Sequence, residues 1–175
     1  MIPNKADVII PFLNYDELLN NCISSLIKEK CIENIFLVQN GVDKSNYIMA
    51  KKSFEEFISS FNLNKLLKHI VIERKNTSLA LNIGIKESKN KYVMFASSHS
   101  YFEKGYIDQL LKKISEDNNI YAIGGRVVCV PGTKSNKSIA VRDAFSSYLG
   151  CLSRYRSLKI SKKIYKTNRP YSALY

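Results

Sequence analysis

The chain has 175 residues, 45% apolar and 11% aromatic, with only 7 Gly and 4 Pro and a formal net charge of +12. That length suits one domain of the usual ~100–150 residues, and the composition excludes a disordered or low-complexity chain. No run approaches the roughly 20 apolar residues of a membrane-spanning helix, and residues 1–7 lack a secretory pattern, so the expectation is a cytoplasmic protein.

In chain order, residues 7–12 form a short apolar run ending at a proline and a phenylalanine, the signature of a buried strand. Leu18, Leu19, Cys22, Ile23, Leu26 and Ile27 then recur at helical spacing. A second strand over 34–38 stops at Gln39-Asn40-Gly41, a turn signal, before an amphipathic stretch holding Ile48, Phe54, Phe57, Ile58 and Phe61. A third strand over 69–73 leads through Arg74-Lys75-Asn76 to a helix over about 78–88. A fourth strand, 92–96, ends abruptly at Ser97-Ser98-His99-Ser100. Beyond it the pattern predicts a helix over 106–114, a strand within 120–130 and a helix over 139–152. Gly124-Gly125 inside that strand fits either a bulge or a close approach to a ligand.

Strands alternating with helices predict right-handed crossovers and an α/β fold, with a mostly parallel central sheet flanked by helices. Ligands of such sheets lie outside the carboxyl ends of the strands. The expected functional edge is therefore built from residues 11–15, 39–45, 76–82 and 97–100. On residue types alone the 97–100 tip also fits an ordinary strand end, with Ser100 or a neighbour capping a helix that starts near Glu103.

The charge is uneven. Residues 144–175 carry Arg154, Arg156, Lys159, Lys162, Lys163, Lys166 and Arg169 and no acid, interleaved with five tyrosines. This predicts a basic, aromatic segment after a domain spanning 1–143, either part of that domain or a flexible tail, suited to peripheral contact with an anionic membrane. Nucleic acid ranks last as a partner, because nothing outside this segment resembles a recognition motif. Cys22, Cys31, Cys129 and Cys151 form no C-x-x-C pair, which argues against zinc and fits reduced thiols.

Taken in order, V-I-I-P-F-L-N, F-L-V-Q-N-G-V-D, A-L-N-I-G-I and Y-V-M-F-A-S-S-H-S resemble the family 2 glycosyltransferases with the GT-A, Rossmann-like nucleotide-sugar-binding fold. S-H-S-Y-F, I-G-G, S-I-A-V and S-S-Y-L-G are most similar to exopolysaccharide-type members. The resemblance implies transfer of a sugar, with inversion, from a UDP- or GDP-sugar to a saccharide or lipid-linked acceptor in polysaccharide biosynthesis at the inner face of the membrane. It puts Pro11 and Asn14 beside the nucleobase, Asn40 where the family usually has a base-holding aspartate, and Asn82 near the sugar-phosphate. It aligns Ser97, Ser98 and His99 with the family's D-x-D or D-x-H motif.

That motif holds a divalent cation, Mn²⁺ or Mg²⁺. Here its first aspartate is Ser97, which leaves His99 as the candidate ligand, or as a donor to phosphate, and weakens the case for a hard ion. P-Y-S-A-L-Y resembles the segment just before the family's acidic catalytic-base motif, so the expectation is a donor-binding half without the catalytic base. Two readings follow: a glycosyltransferase, or a non-catalytic relative that keeps the fold and nucleotide affinity.

Overall fold

The computed structural model describes residues 5–59, 66–125, 134–146 and 173–174. The chain divides into two compact units, residues 1–123 with 172–175, and residues 124–171. The expected boundary after residue 143 falls inside a helix of the second unit. Residues 147–172, which hold the basic run, lie outside the described residues, as do 126–130 of the expected fifth strand.

The elements run β1 (Ala6–Phe12), α1 (Glu17–Leu26), β2 (Ile32–Asn40), a 3-10 turn (Lys44–Asn46), α2 (Tyr47–Ser59), β3 (Leu67–Ile72), α3 (Thr77–Glu87), β4 (Tyr92–Phe95), α4 (Tyr106–Glu116), β5 (Ile123–Gly124), α5 (Asn136–Ser146) and β6 (Ala173–Leu174). The sheet order is β3-β2-β1-β4-β6-β5. The first four strands pair in parallel, and β6 joins β4 antiparallel with Leu174 opposite Met94. The α/β fold with helices flanking a parallel sheet is as the alternation predicts. Within the second unit, α5 is the described helix.

Side chains alternate across the pleat, so each strand feeds two cores. Val8, Ile10, Leu37 and Met94 face α1 and α4, whose Leu19, Ile23, Ile107 and Leu111 complete the larger core. Ile9, Phe36, Val38 and Ile72 face α3 across Ala80. Burying each such large side chain is worth about 1.5–3 kcal/mol. Gly84 on α3 is a point of close approach: a Cβ there would stand 2.5 Å from Ile9 Cγ2, so only glycine lets the helix lie this near the sheet.

Two helix starts are fixed by side-chain caps. Asp16 Oδ1 accepts from Leu19 N–H at 2.8 Å, and Asn76 Oδ1 accepts from Leu79 N–H at 2.9 Å. Pro11 sits inside β1 opposite Val38, two residues beyond the last β1–β4 pair, Ile9 with Phe95. Its missing N–H therefore removes no ladder bond on that side, and the strand runs on to Phe12.

The second strand differs from expectation in a way that matters. Gln39 and Asn40 read locally as a turn, yet they are the last rungs of β2, opposite Val71 and Ile72 of β3. The parallel partner supplies the pairing that Asn-Gly alone does not signal. The turn begins one residue later, at Gly41, whose φ of +73 suits glycine.

Candidate functional site

Extending β2 to Asn40 carries that amide to the carboxyl edge of the sheet on a paired strand rather than a loose loop. Gly41 N–H and Val42 N–H both donate to Ile72 O, at 2.9 and 3.1 Å, so the following loop folds back on the end of β3. A Cβ on Gly41 would stand 3.3 Å from Lys75 Cβ, so glycine also lets this loop close against the β3–α3 connection.

The result is an open cleft of about 370 Å³ lined by Leu13 and Asn14 from the β1–α1 loop, residues 39–43, Asn46 and Lys75. Its size falls within the ~300–1,000 Å³ of small-molecule sites. Asn40 is only 6% exposed, and its Oδ1 is a buried acceptor with no hydrogen-bond partner among the described residues. Such orphans are rare in native proteins, and each costs about 1–3 kcal/mol until a donor arrives. Lys75 and Asp43 are exposed, and neither forms an ion pair among the described residues. The cleft wall therefore holds a buried acceptor without a partner, beside an exposed lysine and an exposed aspartate that form no ion pair among the described residues.

The sequence profile described as "Glycosyl transferase family 2" matches residues 7–168, nearly the whole chain and all of this sheet edge. The chain belongs to glycosyltransferase family 2. It is 29% identical over 126 residues to Glycosyltransferase GlyA of Streptococcus pneumoniae serotype 4 (strain ATCC BAA-334 / TIGR4), a match covering 71% of this chain and 17% of that protein. Among solved structures, residues 1–349 of S. aureus TarS share the fold with a TM-score of 0.56 at 18% identity, covering 75% of this chain and 38% of that one. The same S. aureus protein in complex with UDP gives a TM-score of 0.56 at 17% identity. The chain thus spans well under half the length of these relatives.

Within this family 2 domain the sequence candidates separate into two groups. Asn14 and Asn40 come together in the cleft. Pro11, half-buried in β1, and Asn82, exposed on α3, are not among its lining residues, nor are Ser97, Ser98 and His99. Of the four expected loops, the first two contribute side chains directly. The third contributes Lys75, just before its expected start, while Asn76 caps α3.

The 97–100 tip is a tight turn, with Ser100 N–H donating to Ser97 O at 3.0 Å and His99 N–H donating to Ser97 Oγ at 3.4 Å. Cys22 Sγ–H donates to Ser97 O at 3.4 Å, anchoring the turn on α1. Ser100 caps no helix: α4 starts at Tyr106, and its cap is Gly105, at φ +81 with no side-chain bond. The stretch before α4 is instead clamped to α1, where buried Ser25 Oγ accepts from Phe102 N–H at 3.1 Å and buried Glu29 accepts from Gly105 N–H at 2.5 Å.

Ser97 and His99 are exposed, and the tip supplies no carboxylate, so its donor set does not fit a hard divalent cation. Among the described residues no group of three His, Cys, Asp or Glu side chains could hold a metal ion. The lysine at the cleft was missed because one base in a loop carries no pattern. Its place directly after β3, in Arg74-Lys75, is the signal that could have found it.

Proposed function

We propose that this chain binds a nucleoside-diphosphate sugar, UDP- or GDP-linked, in the Asn14–Asn40–Lys75 cleft. It transfers the sugar, with inversion, to a hydroxyl of a saccharide or lipid-linked acceptor in polysaccharide synthesis. The observation that carries this reading is Asn40 Oδ1, a buried acceptor at a cleft wall with no partner among the described residues. The imide N–H of uracil or the N1–H of guanine is the donor it lacks, and the same amide's NH₂ can meet a neighbouring carbonyl. The Lys75 ammonium is the complementary group for phosphate oxygens, and Asp43 can accept from ribose hydroxyls. Family membership and the UDP complex of the S. aureus protein support the ligand class.

Inversion means one displacement at the anomeric carbon. The acceptor oxygen forms the new bond as the bond to the β-phosphate oxygen breaks, its proton passes to a base, and the nucleoside diphosphate departs with an added charge. Lys75 would offset that charge. Incubation with a panel of UDP- and GDP-sugars and acceptors tests the reading. Nucleotide release requiring both donor and acceptor is expected, and no release with any pair would refute transfer.

A second reading, a nucleotide-binding relative without chemistry, is favoured by one observation: the carboxylate-free tip at Ser97. The change Ser97→Asp separates the two. Gain of metal-dependent nucleotide binding favours the second reading, and loss of an existing activity favours the first.

Peripheral contact of residues 144–175 with an anionic membrane, worth about 1 kcal/mol per base near the surface, belongs to the same proposal. Salt-sensitive sedimentation with anionic but not neutral vesicles is the expected result. Equal sedimentation with both would overturn it.

A further inference from the structure

Beneath the cleft lies a polar trio that the proposed function does not use. Tyr15 Oη stands 3.1 Å from His69 Nε2 and 3.4 Å from Gln39 Oε1, and His69 Nε2 is 3.1 Å from the same Gln39 oxygen. With the carboxamide oxygen as shared acceptor, the set is satisfied when the imidazole proton is on Nε2 and the phenol donates to Oε1, so all three groups bind one another.

Aromatic rings wall the trio. Tyr15 packs at 5.0 Å from both Phe12 and Phe57, and the His69 ring stacks on Phe54 at 4.5 Å and 20°. Burial lowers the His69 pKa to about 4 and pushes the Tyr15 phenol above its ordinary value, so both groups are neutral near pH 7. Holding a buried amide and the polar atoms of two half-buried rings among aromatic side chains is costlier than filling the space with leucine or phenylalanine, unless their hydrogen bonds do something packing cannot.

Their placement supplies the reason. Tyr15 directly follows Asn14, and Gln39 directly precedes Asn40, the two amides that line the cleft. His69 bridges them from β3, on the strand that also receives the Gly41 and Val42 N–H groups. We infer that Tyr15 and His69 are positioning residues that, through Gln39, lock the Asn14 loop to the Asn40 strand end and so set the spacing of the two ligand-reading amides. This rests on the nucleotide reading of the cleft, and its test separates the two claims.

Tyr15→Phe and His69→Phe each remove the polar atoms and keep a ring in the box, and His69→Gln restores an N–H donor. Amide hydrogen exchange of the full chain, read in peptides covering residues 12–16 and 39–43, reports the lock without ligand. Titration with UDP and with GDP reports its consequence.

The expected result is faster exchange in both loops for either Phe variant, unchanged exchange in α4, and nucleotide affinity weaker by about tenfold, the order of one lost buried hydrogen bond. Partial recovery is expected in His69→Gln. Faster exchange confined to the substituted loop, or wild-type affinity in both Phe variants, overturns the inference. If the wild type binds neither nucleotide, the nucleotide reading fails, and the exchange result alone then decides for or against the lock.

Discussion

The two ends of the same sheet treat buried polar groups in opposite ways. At the amino edge Asp7, fully buried at the start of β1, accepts from Asn34 N–H at 3.1 Å, Asn34 Nδ2 at 2.9 Å, Ser88 Oγ at 2.6 Å and Asn90 Nδ2 at 2.7 Å. At the carboxyl edge Asn40, almost as buried, leaves its carbonyl oxygen with no partner among the described residues. A carboxylate satisfied four times staples β1, β2 and the end of α3 together. An amide oxygen buried in the wall of the Lys75 cleft with no partner among the described residues costs stability and is useful only to something that arrives. The contrast separates a polar group retained for the fold from one retained for a ligand.

The largest expected effect breaks the satisfied edge. Asp7→Ala leaves half-buried donors on Asn34, Ser88 and Asn90 without their acceptor and should destabilise by about 2–3 kcal/mol, seen as a lower denaturant midpoint at unchanged slope. A loss below about 1 kcal/mol would erase the contrast, since charged hydrogen bonds alone are worth more than that.

A smaller effect lies in the box under the cleft. The pKa of His69 is about 4 in the folded chain against about 6.5 unfolded, so between those values the unfolded state binds more protons. Stability should therefore fall as pH drops from about 6.5 to about 4, and this contribution should level off below that. For a half-buried ring the loss is about 1–2 kcal/mol after solvent screening. The wild type's stability relative to His69→Phe should decline by that amount on acidification from pH 7 to 4.5. A constant difference would remove the titration from this residue.

Smaller again is Lys75→Ala at the open edge. Stability should stay within about 0.5 kcal/mol, as for exposed sites, while nucleotide affinity falls about tenfold at low salt and less at high salt. Unchanged affinity at low salt would take the phosphate away from this lysine.

Much of the amino-edge architecture was legible. The alternation of apolar runs and helical spacing placed four strands and their helices, because those signals are local. Asp7 read only as the first residue of a strand, since its partners come from segments 27 to 83 residues away. Asn40 was legible as a candidate through the family pattern, yet its position on a paired strand rather than a turn depends on β3, which local Asn-Gly chemistry does not report.

The Tyr15–His69–Gln39 trio was invisible for the same reason: its members lie 24 to 54 residues apart and carry no motif. At the 97–100 tip, the alternative in which Ser100 caps the next helix does not hold, because Gly105 takes the left-handed cap position itself. The clamps from Ser25 and Glu29 then hold the approach to α4.

The most direct test of the contrast is calorimetric titration of UDP and GDP into the wild type and Asn40→Ala, with thermal unfolding of both in the absence of ligand. Binding of one nucleotide by the wild type is expected, weakened at least about tenfold in Asn40→Ala, whose unliganded stability stays equal or rises as the orphan acceptor is removed. Binding of neither nucleotide by the wild type, or equal affinity in both proteins, would contradict the claim that this open amide exists for a ligand.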